Sequence, residues 1–176
     1  MAFIKSCELP EASLLREYLD RGAYTDCYTM EIARPASLAE YIVAFYTTAV
    51  FKLERLLLAW FVARPSTDAE VQALASGQLK SFAAWDVEAR EPSQILLTDY
   101  QGRTRSWLMS TPSPDGQTTK LFFGSAVVPV EDRRTGQNRM GSTFRALLGF
   151  HKLYSRVLLH SAVRRLSRSG RRAHRT

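Results

Sequence analysis

The residues of this chain that carry reactive chemistry are three histidines, two cysteines and a cluster of acids and arginines. His151 and His160 lie about two and a half helical turns apart, so they face different sides, and His174 stands near the end. None of the three has a metal-spaced partner, and the sequence gives no reason to expect a metal or a cofactor. His151 falls on an apolar stripe, where an imidazole needs a polar neighbour. It is either a hydrogen-bonded core histidine or a pocket-lining, acid–base group. Cys7 and Cys27 make no disulfide framework, match no metal spacing and lack an obvious activating neighbour. No Ser/His/Asp order and no Cys/His pair stands out. Gly136-Gln137-Asn138-Arg139-Met140-Gly141-Ser142-Thr143 has the glycine spacing of a phosphate loop, but Ser142 stands where the phosphate-binding lysine belongs. A plain loop with a helix cap is the better reading.

Acids and bases concentrate between residues 86 and 105: Asp86, Glu88, Arg90, Asp99, Arg103 and Arg105. If Gln101-Gly102 forms a hairpin turn, Thr98 stands opposite Arg105 and Leu96 opposite Trp107. Arg105 then shares a face with Trp107, Leu96 and Tyr100. An arginine among aromatics can anchor the polar end of a bound apolar molecule, whereas on a solvated face it would simply pair with a strand acid.

These residues need elements to position them. Residues 10–20 read as a short helix, with Pro10 in its first turn and Leu14, Leu15, Tyr18 and Leu19 at helical spacing. Tyr24 to Ile32 alternates as a strand, with Tyr28, Met30 and Ile32 on one face and Cys27, Thr29 and Glu31 on the other. Ser37 with Glu40 is a capping box. It opens a stripe that includes Leu38, Tyr41, Ile42, Phe45 and Tyr46 and runs on to Leu57 and Trp60. Thr47-Thr48 is a point where this segment kinks or splits, and Pro65 ends it. Ser66 or Thr67 caps another short helix that Gly77 stops. From residue 79 the period changes to two, with strands near 81–90, 94–100, 103–110 and 118–130, joined by short turns into a meander. Glu131 to Gly141 is a polar loop. Ser142 opens a last helix to about Arg165, carrying Phe144, Leu147, Leu148, His151, Tyr154 and Leu158 on one stripe. The expectation is an α+β layer with every helix on one side of an antiparallel sheet.

The chain has 176 residues, 45% of them hydrophobic and 23% charged, which suits a globular domain over residues 1–165 with residues 10–22 as a helical lead-in. Six of the seven net positive charges belong to Arg164, Arg165, Arg168, Arg171, Arg172 and Arg175. The body is therefore nearly neutral, and residues 166–176 read as a disordered basic tail suited to weak contact with an anionic membrane or nucleic acid. The N-terminus lacks a secretory pattern. The longest apolar region, Leu38 to Val62, is broken by Glu40, Lys52, Glu54 and Arg55, so a cytoplasmic protein is expected.

Four stretches together carry a resemblance. They are Phe82-Ala83-Ala84-Trp85-Asp86-Val87-Glu88-Ala89-Arg90, Gly102-Arg103-Thr104-Arg105-Ser106-Trp107-Leu108, Phe123-Gly124-Ser125-Ala126-Val127-Val128-Pro129, and Phe150-His151-Lys152-Leu153-Tyr154-Ser155. They resemble an uncharacterised family of the START-like superfamily, also called polyketide cyclase/dehydrase-like or SRPBCC. The resemblance covers residues 24–165. It implies a helix-grip fold, in which a curved antiparallel sheet surrounds a long C-terminal helix and leaves an apolar cavity between them. It transfers no catalytic residue set. The function expected from it is binding of a small apolar molecule such as a lipid or polyketide. Trp85, Trp107, Phe123, Tyr154 and Leu158 would line the cavity, Tyr46 would sit near its mouth, and Arg105 and His151 would supply polar contacts. Two alternatives stand beside it. One is an enzyme that polarises such a ligand through His151, Arg105 or Asp99. The other is an interaction protein with a filled core and an Arg-rich docking tail.

Overall fold

The period-two segments pair into a seven-stranded antiparallel sheet in the computed structural model, which describes residues 4–48, 51, 67–128 and 155–167. The strands are β1 (Lys5–Ser6), β2 (Tyr24–Ile32), β3 (Ser81–Phe82), β4 (Trp85–Glu91), β5 (Gln94–Asp99), β6 (Thr104–Pro112) and β7 (Thr119–Val127), in the order β1-β2-β7-β6-β5-β4-β3. From β3 to β7 the chain is a meander, as its turn residues dictate. β7 then pairs with β2 along its whole length, from Tyr24 opposite Val127 to Ile32 opposite Thr119. The hairpin register follows the sequence, with Leu96 opposite Trp107 and Thr98 opposite Arg105. The sheet reaches seven strands in a way the sequence does not announce. The extra strands are β1 and the split of residues 81–91 at Ala83-Ala84.

The helices are α1 (Arg16–Asp20), α2 (Leu38–Tyr46), α3 (Asp68–Ala75) and α4, over residues 155–167. Both capping boxes form. Ser37 Oγ accepts from Glu40 N while Glu40 accepts from Ser37 N, and Thr67 does the same with Glu70. α2 stops at the threonines: Thr47 Oγ1 donates to the Val43 carbonyl at 2.5 Å and Thr48 Oγ1 to the Phe45 carbonyl at 3.0 Å, competing with the helix ladder.

Strand alternation divides the core in two. On the inner face Tyr28, Met30, Ile32, Ile95, Leu97, Leu108, Leu121 and Phe123 meet α2, α3 and α4. On the outer face Cys27, Leu96, Trp107, Phe122 and Ala126 meet Leu9, Leu15, Tyr18 and Ala23. The expectation of all helices on one side is corrected here, because α1 and the segment leading to it cover the opposite face. That segment is also less helical than its spacing implies. Leu14 N–H and the Ala12 carbonyl are bound by the Gln94 side chain, and Leu15 N–H by Ser13 Oγ, so helix begins only at Arg16.

Among the described residues no helix is long and apolar enough to cross a membrane. Several expectations lie outside the described residues: the apolar stripe beyond Phe51, the polar loop from Glu131 with the glycine-containing stretch 136–143, the helix start at Ser142 with Phe144, Leu147 and Leu148, His151 with Tyr154, and the tail with Arg168, Arg171, Arg172, Arg175 and His174.

Candidate functional site

The hairpin of β5 and β6 puts Arg105 and Trp107 on one face, as their spacing requires. It is the outer face, away from Phe123, Leu158 and Tyr46. Trp107 is fully buried, and its Nε1–H donates to Gln94 Oε1 at 2.8 Å. The same Oε1 accepts from Leu14 N at 3.0 Å, while Gln94 Nε2 donates to the Ala12 carbonyl and to Glu91 Oε2. Arg105 is held equally closely. Glu88 follows the inward-facing Val87 and so points outward, and a bulge between Val87 and Ala89 turns Ala89 outward as well. The Glu88 carboxylate lies 2.6 Å from Arg105 Nε and accepts the Tyr18 hydroxyl, and the guanidinium lies 4.6 Å from the Tyr18 ring centre. Burial, then the bond to Glu88, pushes the Tyr18 hydroxyl pKa up, so it stays a donor. Trp107 and Arg105 thus fasten residues 9–23 to the sheet. They do not line a space shared with the inner-face residues, and the expectation that they do is corrected. Asp99, named beside them as a polarising group, accepts Arg103 N and Thr104 N and closes the β5–β6 turn.

Trp85, Phe123, Leu158 and Tyr46 do come together on the inner face. There the rings interlock: Phe45 lies 4.9 Å from Phe123, and Tyr46 lies 4.7 Å from Phe51 and 5.6 Å from Phe82. Tyr46 is buried and does not stand at a mouth. A polar row crosses this apolar face. Asp26 Oδ1 accepts from Ser125 N and Oγ, Ser125 stands opposite Ser106, and Ser106 Oγ lies 3.4 Å from the Tyr46 hydroxyl. Trp85 Nε1 and Ser155 Oγ are buried and have no hydrogen-bond partner among the described residues. The sequence signal for this row was present, since Asp26 shares the alternation of Tyr28 and Met30.

Among the described residues, space of ligand size lies in the helical layer. A groove of about 390 Å³ runs between α2, the end of α3 and the last turns of α4. Ala39, Val43, Ala44, Ala75 and Leu166 form its apolar part, and Arg34, Glu40, Gln72, Ser76 and Arg165 its polar part. The elements place these groups for local reasons. Arg34-Pro35 ends β2 and turns the chain into α2, bringing Arg34 Nη1 to 3.0 Å from Glu40 Oε1 and 2.9 Å from the Pro35 carbonyl. Arg34 Nε is buried and without a hydrogen-bond partner among the described residues. Arg165 reaches back from α4 to cap the end of α2, donating to the Thr47 carbonyl at 2.9 Å. Burial pushes the Glu40 carboxyl up, but bonds from Ser37 and the Arg34 guanidinium outweigh it and hold the group below its usual range, hence ionised. Two guanidiniums and one carboxylate therefore line the groove beside its apolar residues. The sequence sets Arg165 among the basic residues at the end of the last helix and gives Arg34 no role, because the groove joins residues far apart in the chain. Among the described residues no group of three or more His, Cys, Asp or Glu is arranged to hold a metal ion.

No family model matches the chain, and no curated protein or solved structure matches it.

Proposed function

We propose that this protein binds a small amphipathic molecule, with an apolar body and one anionic group, in the groove between α2, α3 and α4. The observation that carries this reading is the Arg34 guanidinium, paired with Glu40 through Nη1 and lining, with Arg165, a groove of about 390 Å³ whose other walls are largely apolar. Ligand sites have this composition: mostly apolar surface, a few convergent polar groups and a volume of roughly 300 Å³ or more. An Arg donor to a carboxylate or phosphate oxygen is among the stronger hydrogen bonds, because charge assists it. The proposal keeps the ligand class that the sequence suggested, a lipid- or polyketide-like molecule, and moves its place from the sheet–helix interior to the helical layer. The helix-grip, START-like relationship is part of the same proposal. An antiparallel sheet with the last helix packed on its inner face supports it.

The test uses two dyes of one shape, 1-anilinonaphthalene-8-sulfonate and the uncharged N-phenyl-1-naphthylamine. The sulfonate should bind more tightly, and Arg34→Gln should weaken it by about tenfold, in line with the loss of one charge-assisted hydrogen bond. The uncharged dye should change by less than about twofold. Equal loss of both dyes, or no loss of either, contradicts the reading.

A further inference from the structure

Cys7 and Cys27 are twenty positions apart in sequence and carry no recognisable motif. The sheet brings them together. β1 pairs with β2 through Lys5 opposite Thr29 and Ser6 opposite Tyr28, and the next step of that register sets Cys7 opposite Cys27. Cys7 N–H donates to the Cys27 carbonyl at 3.0 Å, and the two Sγ atoms lie 3.1 Å apart, sharing a hydrogen bond. Directly opposed residues of an antiparallel pair have Cα atoms about 4.5–5.5 Å apart, inside the range of roughly 4.4–6.8 Å that a disulfide spans. The register therefore sets their backbones within disulfide range.

We propose that Cys7 and Cys27 form a reversible redox pair, with Cys7 as the attacking thiol and Cys27 as the resolving one, that locks the N-terminal cover onto the outer face of the sheet. Exposure assigns the roles: Cys7 is half-buried and within reach of a small reagent, whereas Cys27 is buried. The electrostatics agree. The hydrogen bond from Cys27 favours a thiolate on Cys7 and outweighs its partial burial, and the Lys120 ammonium adds to the same effect. The bond to Cys7 and burial push the Cys27 thiol the other way.

The oxidant is a low-molecular-weight disulfide, RSSR. The Cys7 thiolate attacks one of its sulfurs, the S–S bond breaks, and one RS⁻ leaves. Cys27 then gives up its proton and attacks Cys7 Sγ, releasing the second RS⁻ and forming the Cys7–Cys27 bond. Two protein thiols are oxidised by two electrons, one RSSR is reduced, and the two thiol protons end on two RSH. A small dithiol reverses the exchange. The ring so closed contains Leu9, Leu15 and Tyr18, the residues that cover Trp107, so the bond fixes a cover otherwise held at its start by a two-residue strand with both residues exposed.

The experiment treats the full chain with oxidised glutathione, quenches with an alkylating agent and weighs the protein. The expected product is a monomer lighter by two hydrogen atoms, with neither cysteine alkylated and a Tm raised by about 5 °C or more. Cys7→Ser should take up no glutathione and show no oxidant-dependent Tm shift. Cys27→Ala should stop at the mixed disulfide, with one glutathione on Cys7. Two fully alkylated cysteines after oxidation of the unaltered chain, or a disulfide-linked dimer in place of the internal bond, overturns the proposal without reference to how either variant folds.

Discussion

Replacing Gln94 with Leu tests whether one buried amide holds the outer layer in place. Gln94 is 1% exposed and uses both ends of its side chain, accepting from Trp107 Nε1 and Leu14 N and donating to the Ala12 carbonyl and Glu91. Leu keeps most of the volume and removes every one of these bonds. The largest loss is at Trp107, which is fully buried, so its indole N–H cannot turn to water. An orphaned buried donor costs about 1–3 kcal/mol. Leu14 N–H and the Ala12 carbonyl are only partly buried and regain water, which adds about 0.5–1 kcal/mol each. The expected destabilisation is therefore about 2–5 kcal/mol, a large fraction of the roughly 5–15 kcal/mol that holds a domain folded. Denaturant unfolding followed by far-UV circular dichroism measures it, and trypsin should cut sooner at Arg16 and Arg21, within the loosened cover. Trp107→Phe removes the donor that Gln94→Leu strands, so the double variant should be more stable than the sum of the singles by about 1–2 kcal/mol. A Gln94→Leu cost below about 1 kcal/mol, or strict additivity, would show that the amide network does not secure the segment.

Gly124→Ala should destabilise by about 1–3 kcal/mol, because the added methyl would stand 2.8 Å from the Asp26 carbonyl oxygen and 3.0 Å from both Leu15 and Trp107, and the backbone oxygen cannot give way; denaturant unfolding reads the cost. Alkaline titration should show a late tyrosine. Burial, with the charge of Asp26 adding to it, pushes the Tyr24 hydroxyl up to about 12, so the stability tied to its neutral form is complete below pH about 10 and drains away as pH rises from there towards 12. Tyrosinate absorbance that rises for every tyrosine at pH about 10 while the circular dichroism stays native would contradict this.

The elements that sequence reasoning placed well are those with strong local signals. The turns at Pro92-Ser93 and around Gly102 pin both ends of β5, and the register of Leu96 with Trp107 follows from them. Ser37 with Glu40 marks one helix start and the Ser66-Thr67 pair another, where Thr67 is the residue that caps, because these side chains satisfy first-turn N–H groups. What sequence could not supply was the identity of the faces. Alternation says that Trp107 and Leu108 point to opposite sides, but not which side the last helix takes. In β5 the alternation is absent, because Gln94, Ile95, Leu96 and Leu97 are all buried between two covering layers. β1 leaves no pattern, being two exposed residues whose pairing is set by the neighbour. Ala89 joins Glu88 on the outer face only through a bulge, which no residue type in its vicinity announces. The groove was hidden for a different reason. Arg34 ends a strand, Ser76 ends a helix and Arg165 caps another, so each has a local role that accounts for it before the fold brings the three together.

The central claim is that the groove is the ligand site, and amide-resolved nuclear magnetic resonance tests it most directly. With 1-anilinonaphthalene-8-sulfonate titrated into the labelled full chain, the account predicts saturable shifts centred on Ala39, Val43, Ala44, Gln72, Ala75 and Ser76, with Cys27, Leu96 and Trp107 on the outer face unmoved. Saturable shifts centred on Asp26, Ser106 and Ser125 of the inner face, with the groove residues still, would contradict it.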